Sequence, residues 1–578
     1  MNAERLLAHY ERIADAPDAI ARLRRFILDL AVRGKLVPQD SNDEPATELL
    51  KQIAKEKARL AKAGEIRAPK AIPALSELPF PIPANWRWSQ LAEIGVLSPR
   101  NEAPDALEAS FVPMPLIAAE YGVANQHEVR PWGEIKKGYT HFAEGDVGLA
   151  KITPCFENGK STVFRNLTGG MGSGTTELHI IRPLFVDPDY ILLFLKSPYF
   201  IETGIPKMTG TAGQKRVPTE YFGHSPFPLP PLAEQHRIVA KVDELMALCD
   251  RLEAVRAERE ATRDRLAAAS LARLNTPNPA TFQADARFAL NTIPALTARP
   301  DQIKQLRQSI LNLAVRGKLV PQDAKDEPAS ELLKKVAAER AGLVKLKLIR
   351  REEPLDAIRL QELPFSLPDR WVWSRIGDAV LFTQYGTSQK SYPSDKGVPV
   401  LTMGNIQDGL VVWGNEKKIP PESDDLPALF LKKYDLLYNR TNSAELVGKT
   451  GIYLAEDDAR TFASYLIRLR PSLVWTNPRY LNLAMNTPEF RETQIIPLIK
   501  KQTGQANVNG TALKNMLIPL PPLAEQHRIV AKVDALLKIC DELEASLGAS
   551  AATRRRLLDA LLAEALAPAQ AHDVEAAA

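Results

Sequence analysis

Leu229-Pro-Pro-Leu-Ala-Glu-Gln-His-Arg-Ile-Val-Ala-Lys-Val-Asp243 recurs letter for letter as Leu520–Asp534. Over 229–253 and 520–544, 20 of 25 positions match at a constant offset of 291. Identity at that level marks a tandem duplication. Locally, Pro230-Pro231 ends an extended segment and presets φ for the first turn of a helix. Ile238, Val242, Leu245, Cys249 and Leu252 follow at steps of four and three. Ile529, Val533, Leu536, Cys540 and Leu543 repeat them. A 4-3 stripe is the seam of a coiled coil, so two long helices that pack on each other are expected. They run over about Leu232–Leu274 and Leu523–Leu566, each roughly 60–65 Å long at 1.5 Å per residue.

The duplication extends outward. Arg22–Ile53 returns as Gln305–Val336, identical at 23 of 32 positions with an offset of 283. Ile20, Leu23, Ile27 and Leu30 keep helical spacing up to a C-cap glycine, Gly34, and a second, charged helix opens near Glu44-Pro45-Ala46. Glu77-Leu-Pro-Phe80 with Trp86-Arg-Trp88 returns as Glu362-Leu-Pro-Phe365 with Trp371-Val-Trp373. These tryptophans read as anchors where a helical arm meets a globular domain. Between the landmarks lie two dissimilar segments, roughly 87–227 and 372–518. Each has short β-type runs broken by Gly, Pro and Asn, and each reads as a mixed α/β domain. Constant frames around divergent inserts are the central pattern.

Composition bounds the function. The chain has 578 residues, 45% apolar and 25% charged, with a net charge of +4. That length predicts three to five domains or a duplicated pair. No run of eighteen apolar residues occurs, and the charged N-terminus lacks a signal-peptide core, so a cytoplasmic location is expected. Cys155, Cys249 and Cys540 lack metal-ligand spacing, and the last two read as buried thiols on the helix seam. Gly159-Lys160-Ser161 and Gly448-Lys449-Thr450 imitate the end of a phosphate-binding loop. The glycine such a loop needs five residues earlier is replaced by Pro154 and Ser443. With no nucleotide, metal or nucleophile pattern, no catalysis by this chain alone is expected.

These residues together resemble the specificity subunit of Type I restriction–modification enzymes. The motifs are the PLPPLAEQHRIVAKVD helix start, LAVRGKLVPQD with DEPATELL or DEPASELL, the paired tryptophans and the duplicated plan. Gly145-Asp-Val147 through Lys151-Ile-Thr-Pro-Cys-Phe-Glu-Asn-Gly-Lys160, and Tyr438-Asn-Arg-Thr-Asn-Ser-Ala-Glu-Leu-Val-Gly-Lys449, look like variants of one family strand-turn element. Thr209-Gly-Thr211 and Thr503-Gly-Gln505 look like a shared loop.

The resemblance implies an α+β fold: two mixed α/β target recognition domains separated by two long antiparallel coiled-coil helices, tandem-duplicated with pseudo-twofold symmetry. The expected segments are a helical arm (1–80), a first recognition domain (81–228), a long helix with the second arm (229–363), a second recognition domain (364–519), and a last helix with a disordered tail (520–578). It also implies double-stranded DNA as ligand, each domain reading half of a bipartite, asymmetric, gapped target. Two methyltransferase subunits carrying S-adenosylmethionine, and motor–nuclease subunits using ATP, are the implied partners, with no cofactor in this chain. The duplicated Arg-Gly-Lys-Leu-Val-Pro-Gln-Asp loops are either docking points or helix-turn structure. Gln235, His236, Gln526 and His527 are read as helix-start packing or partner docking ahead of DNA contact.

Expected DNA-binding residues in the first domain are Lys151, Thr153, Asn158, Lys160, Thr175, Thr176, Thr211, Gln214, Lys215 and Arg216. In the second they are Tyr385, Thr387, Ser388, Arg440, Thr441, Asn442, Lys449, Lys501, Gln502, Gln505 and Asn507. Arg suits guanine and Asn or Gln suits adenine, whereas Lys and Thr more often hold phosphate. Residues 86–226 carry 13 basic against 15 acidic residues, and 371–517 carry 17 against 14. Neither domain is a strong polyanion magnet, so weak DNA binding by the chain alone is expected. The competing reading is a coiled-coil protein-interaction scaffold without sequence-specific DNA binding.

Overall fold

A computed structural model describes residues 15–68, 71–75, 77–211, 213–275, 278, 280–414, 416–502 and 505–566. The expected tail from 567 onward lies outside the described residues. The chain divides into two compact units, Met1–Arg259 with Ser550–Ala578, and Glu260–Ala549.

The first unit opens with α1 (Ala19–Val32) and α2 (Ala46–Lys62). α1 stops because Gly34 takes a positive φ of 66°, the left-handed turn that ends many helices. A four-stranded antiparallel sheet follows, in the order Gly95–Leu97, Leu178–Pro183, Val147–Ala150, Ser161–Val163. A second four-stranded sheet contains Glu128–Pro131, Glu108–Val112, Met171–Gly174 and Thr140–Ala143. α3 (Pro188–Lys196) is capped by the Asp187 carboxylate. Arg87–Ser89 pairs with Phe227–Leu229, and α4 (Leu232–Asn275) then leaves the domain.

The second unit repeats the plan with α5 (Pro300–Val315), α6 (Ala329–Lys345), α7 (Pro478–Met485) and α8 (Leu523–Leu566). Its main sheet runs Phe382–Tyr385, Leu466–Arg470, Leu436–Asn439, Thr450–Ile452, the order of the first unit's sheet, and continues into two short strands. The same ion pair, its aspartate buried and its arginine half-buried, fixes the sheet in both units. Asp146 binds Arg182, and Asp435 binds Arg470 at 2.6 Å. The units differ chiefly in what is inserted between the first and central strands.

The arm is not a separate body. In the first unit Ile27, Ala31 and Val32 share one core with Trp86, Leu149, Tyr190, Ile238, Val242 and Cys249. In the second, Ile310 and Ala314 share theirs with Trp371, Tyr480, Ile529, Val533 and Cys540. This corrects the seam reading. The 4-3 stripe at the head of each long helix, with Leu245, Leu536 and Leu543 at its edge and Leu252 half-buried, is covered by the unit's own arm helix and domain. A helical stripe records that a face is buried but not by what. The paired tryptophans are anchors as expected: Trp86 packs edge-on to Tyr190 at 6.3 Å, and Trp371 to Tyr480 at 6.4 Å.

Helix directions within the first unit follow from ion pairs. α1 meets α4 through Arg24 with Asp250 and Glu253, and the preceding Asp15 meets Arg259, so the two run antiparallel. Ala16 and Ala19 pack near Leu558 and Leu561, while Phe26 and Leu30 pack near Ala565, so α1 runs parallel to the end of α8. The head of one long helix and the tail of the other therefore run antiparallel against the arm. In the second unit α5 meets the later part of α4 through Gln302 with Asp264, and the preceding Arg299 meets Glu260. It meets α8 through Arg307 with Asp541 and Glu544.

Each long helix is locked to its domain at its first turn. Gln235, fully buried, accepts the Asp187 N–H at 2.9 Å and donates to the Pro230 carbonyl at 2.9 Å. Gln526 accepts from Asn477 N–H at 2.8 Å and donates to Pro521 at 2.9 Å. These glutamines are packing residues. Of their neighbours, His527 contacts the Asn477 amide at 3.0 Å and His236 lies 3.7 Å from Asp187. Gln235→Ala or Gln526→Ala strands a buried N–H and is expected to lower the stability of its unit by about 1–3 kcal/mol. Denaturant melts of the single variants check this; a loss below about 0.5 kcal/mol contradicts the lock.

Candidate nucleic-acid interface

Beyond the central strand of the first unit the chain continues into Lys151-Ile152-Thr153. The Lys151 N–H donates to the Glu177 carbonyl at 2.9 Å, and the Val217 N–H donates to the Lys151 carbonyl at 2.8 Å. The Thr153 N–H donates to the Lys215 carbonyl at 2.9 Å. Residues 151–153 therefore lie between 175–177 and 214–217. Thr209 and Arg216 exchange two backbone hydrogen bonds, and the Gln214 N–H closes a turn on the Thr211 carbonyl at 3.0 Å. Three stretches distant in sequence form one patch carrying Lys151, Thr153, Thr175, Thr176, Thr211, Gln214, Lys215 and Arg216.

The second unit builds the same patch. The Arg440 N–H donates to the Tyr465 carbonyl at 3.0 Å, and the Val508 N–H donates to the Arg440 carbonyl at 2.9 Å. Thr441 pairs with Asn507, Asn442 with Ala506, and Lys500–Gln502 hairpins onto Gln505–Asn507. Lys501, Gln502 and Gln505 are thus on this hairpin, their side chains outside what is described, as are Thr503 and Gly504. Matched by these hydrogen bonds, Lys151 corresponds to Arg440, Thr153 to Asn442, Glu177 to Tyr465 and Arg216 to Asn507. The backbone is one scaffold and the side chains are different.

Side-chain chemistry follows the substitutions. In the first patch Arg216 forks onto Glu177, Nε to Oε2 at 2.8 Å and Nη2 to Oε1 at 2.9 Å. The Arg216 hydrogen bonds hold the Glu177 carboxyl below its ordinary range, against the opposing effect of partial burial and with help from Lys151. In the second patch the Arg440 guanidinium lies 5.0 Å over the Tyr385 ring and reaches Ser464 O and Asn507 Oδ1, each at 3.3 Å. The Tyr385 hydroxyl accepts the Gly510 N–H at 2.6 Å, tying that ring to the start of a short helix. Tyr465 is exposed beside them. Glu177 and Tyr465 were missed in sequence. Each immediately precedes the strand ending in the repeated Arg-Pro (Arg182-Pro183, Arg470-Pro471), and aligning those strands finds them.

Other expected contacts are placed elsewhere. Thr387 is a correction: it is buried, its hydroxyl bonding Asp425 and accepting the Gln389 N–H at 2.9 Å, so it braces a loop. Ser388 beside it is exposed. Lys160 is half-buried with Nζ 3.4 Å from the Met114 carbonyl, which turns it to its own domain. Asn158 is exposed on the same turn, and Lys449 is half-buried. The Gly-Lys pairs are hairpin turns, with Gly159 at φ 69° and Gly448 at φ 92°. In the Arg-Gly-Lys-Leu-Val-Pro-Gln-Asp loops, Leu36 and Val37 pack on the core, and Gln39 and Gln322 each donate to a buried glutamate of the long helix at 2.6 Å. These loops are helix-turn structure.

The hairpin carrying Asn158 is braced from α3. Lys196, buried, donates to the carbonyls of Gly159 at 3.0 Å and Ala119 at 2.8 Å. At the matching position, the C-cap that follows α7, the neutral amide of Asn486 bonds Thr450 N and O. Burial pushes the Lys196 amine down to about 7 from its ordinary 10.5, with Glu120 opposing. The depressed folded value means that the cost of burying the cation is complete below about pH 7 and fades as pH rises toward 10.5. The folding equilibrium should therefore gain up to about tenfold per pH unit across that window. Lys196→Met should remove this gain, as pH-dependent denaturant melts will measure; equal slopes for the two proteins contradict it.

Comparison with known proteins gives a consistent result. A family model described as Type I restriction modification DNA specificity domain matches residues 368–550. The chain is 39% identical over 551 residues to the Type I restriction enzyme EcoAI specificity subunit of Escherichia coli, covering 94% of this chain and 93% of that one. It is 39% identical over 561 residues to the EcoEI specificity subunit of Escherichia coli, covering 95% and 94%. A crystal structure of the HsdS subunit from Thermoanaerobacter tengcongensis aligns over 85% of this chain and 99% of that chain, with TM-score 0.45 and 20% sequence identity. Identity of this order over more than nine-tenths of both chains carries the assignment: the chain belongs to the family of Type I restriction enzyme specificity subunits.

Proposed function

We propose that the chain selects the DNA sequence for a Type I restriction–modification complex, with each mixed α/β domain reading one half of a bipartite, asymmetric, gapped target. The domains correspond to residues 81–228 and 364–519, and the long helices set the spacing of the half-sites. One observation carries this reading. The same arrangement of three main-chain segments occurs once per unit, with Lys151, Thr153, Glu177 and Arg216 in one and Arg440, Asn442, Tyr465 and Asn507 in the other. A common backbone bearing different donors and acceptors is what two readers of different sequences require.

The duplicated frames offer two like faces, which suits two methyltransferase subunits holding S-adenosylmethionine. Motor–nuclease subunits using ATP complete the complex in the cytoplasm, and the chain itself performs no chemistry. Weak net charge in both domains leaves much of the phosphate attraction to those partners.

The test is a genome-wide map of methylated adenines in cells with and without this gene, the methyltransferase gene being present in both. Loss of one asymmetric, gapped motif on deletion is expected. An unchanged map contradicts the reading and favours a protein-interaction scaffold.

A further inference from the structure

The Arg216–Glu177 pair has a geometry beyond that of a surface ion pair. Arg216 carries five N–H donors. Nε and Nη2 each give one to Glu177, and Nη1 gives one to the Gln214 carbonyl at 3.1 Å. Two remain, one on each terminal nitrogen. The side chain is 42% exposed and Glu177 23%, so the guanidinium is held from behind while retaining access to solvent. Its backbone is pinned as well, by the two hydrogen bonds with Thr209. An arginine whose rotamer is fixed before binding presents its remaining donors as a fork, with less ordering to lose on contact. Among base edges in the major groove, two adjacent acceptors within reach of one fork occur on guanine, at O6 and N7.

We infer that Arg216 reads a guanine in the half-site of the first domain, and that Glu177 is a positioning residue that holds the guanidinium for that contact. The inference rests on the DNA-reading role proposed above and adds the base and the buttress. Among the described residues of the second patch, Asn507 and Tyr465 take the two places, and Asn507 instead receives Arg440. The buttressed Arg–Glu arrangement is therefore assigned to the first half-site only.

The experiment is selection from a randomised double-stranded DNA library by the full chain assembled with its methyltransferase subunits. Wild type, Arg216→Ala, Arg216→Lys and Glu177→Gln are compared. Wild type should yield a two-part motif with a G·C pair in the first half. Arg216→Ala should weaken the preference at that single pair by about 5- to 150-fold, the discrimination of one bidentate contact. Arg216→Lys, which keeps charge but loses the fork, should not restore it, and Glu177→Gln should weaken the same pair to a smaller degree. The second half-site serves within each complex as the control for folding and assembly, and its preferences should stay unchanged. The inference is overturned if Arg216→Ala leaves every preference intact, or lowers binding to all sequences alike. It is also overturned if Glu177→Gln shifts a different position. Failure of wild type to select any motif would instead refute the DNA-reading role itself.

Discussion

Two adjacent side chains at the start of each long helix hold arm, domain and helix in one arrangement. Gln235 spends both ends of its amide on the domain side, and Glu234 takes the Gln39 amide from the arm at 2.6 Å. The second copy does the same with Gln526 and Glu525, and there Trp371 Nε1 adds a bond to the carboxylate at 3.0 Å. All four side chains are essentially inaccessible, and burial pushes the carboxyls of Glu234 and Glu525 up. Buried polar groups are costly unless every partner is in place, so such a lock admits one geometry and rejects near alternatives. The glutamate and glutamine of this lock lie within the fifteen residues repeated exactly, while the domains they secure have diverged.

The two loop patches obey a complementary rule. Their shape is carried by main-chain hydrogen bonds among three short segments, anchored to a sheet whose Asp–Arg pair is common to both units. Such bonds place few demands on side-chain identity. Residues 151, 153, 177 and 216 and their counterparts can therefore change without loss of the scaffold, which is the property a recognition surface needs.

Much of this was legible in the sequence. The long helices begin at the residue after the Pro-Pro pair, and the second spans Leu523–Leu566 as its pattern indicates. The seam partner was not legible, because a 4-3 stripe is equally satisfied by an arm helix folded back from about 220 residues earlier in the chain. Thr387 was misplaced because its partner, Asp425, lies on a separate loop. Glu177 escaped notice because a single acid before a strand carries no pattern until Arg216 is brought beside it.

The central claim is that each domain reads its half-site independently from an equivalent frame. The direct measurement is the methylation motif produced by a chain in which residues 373–518 are replaced by a second copy of 88–227, joined at the matching tryptophan and proline landmarks. Two like readers on duplicated frames should convert the asymmetric motif into a symmetric one built twice from the first half-site. Retention of the original second half-site, or a motif unrelated to the first, would contradict the account.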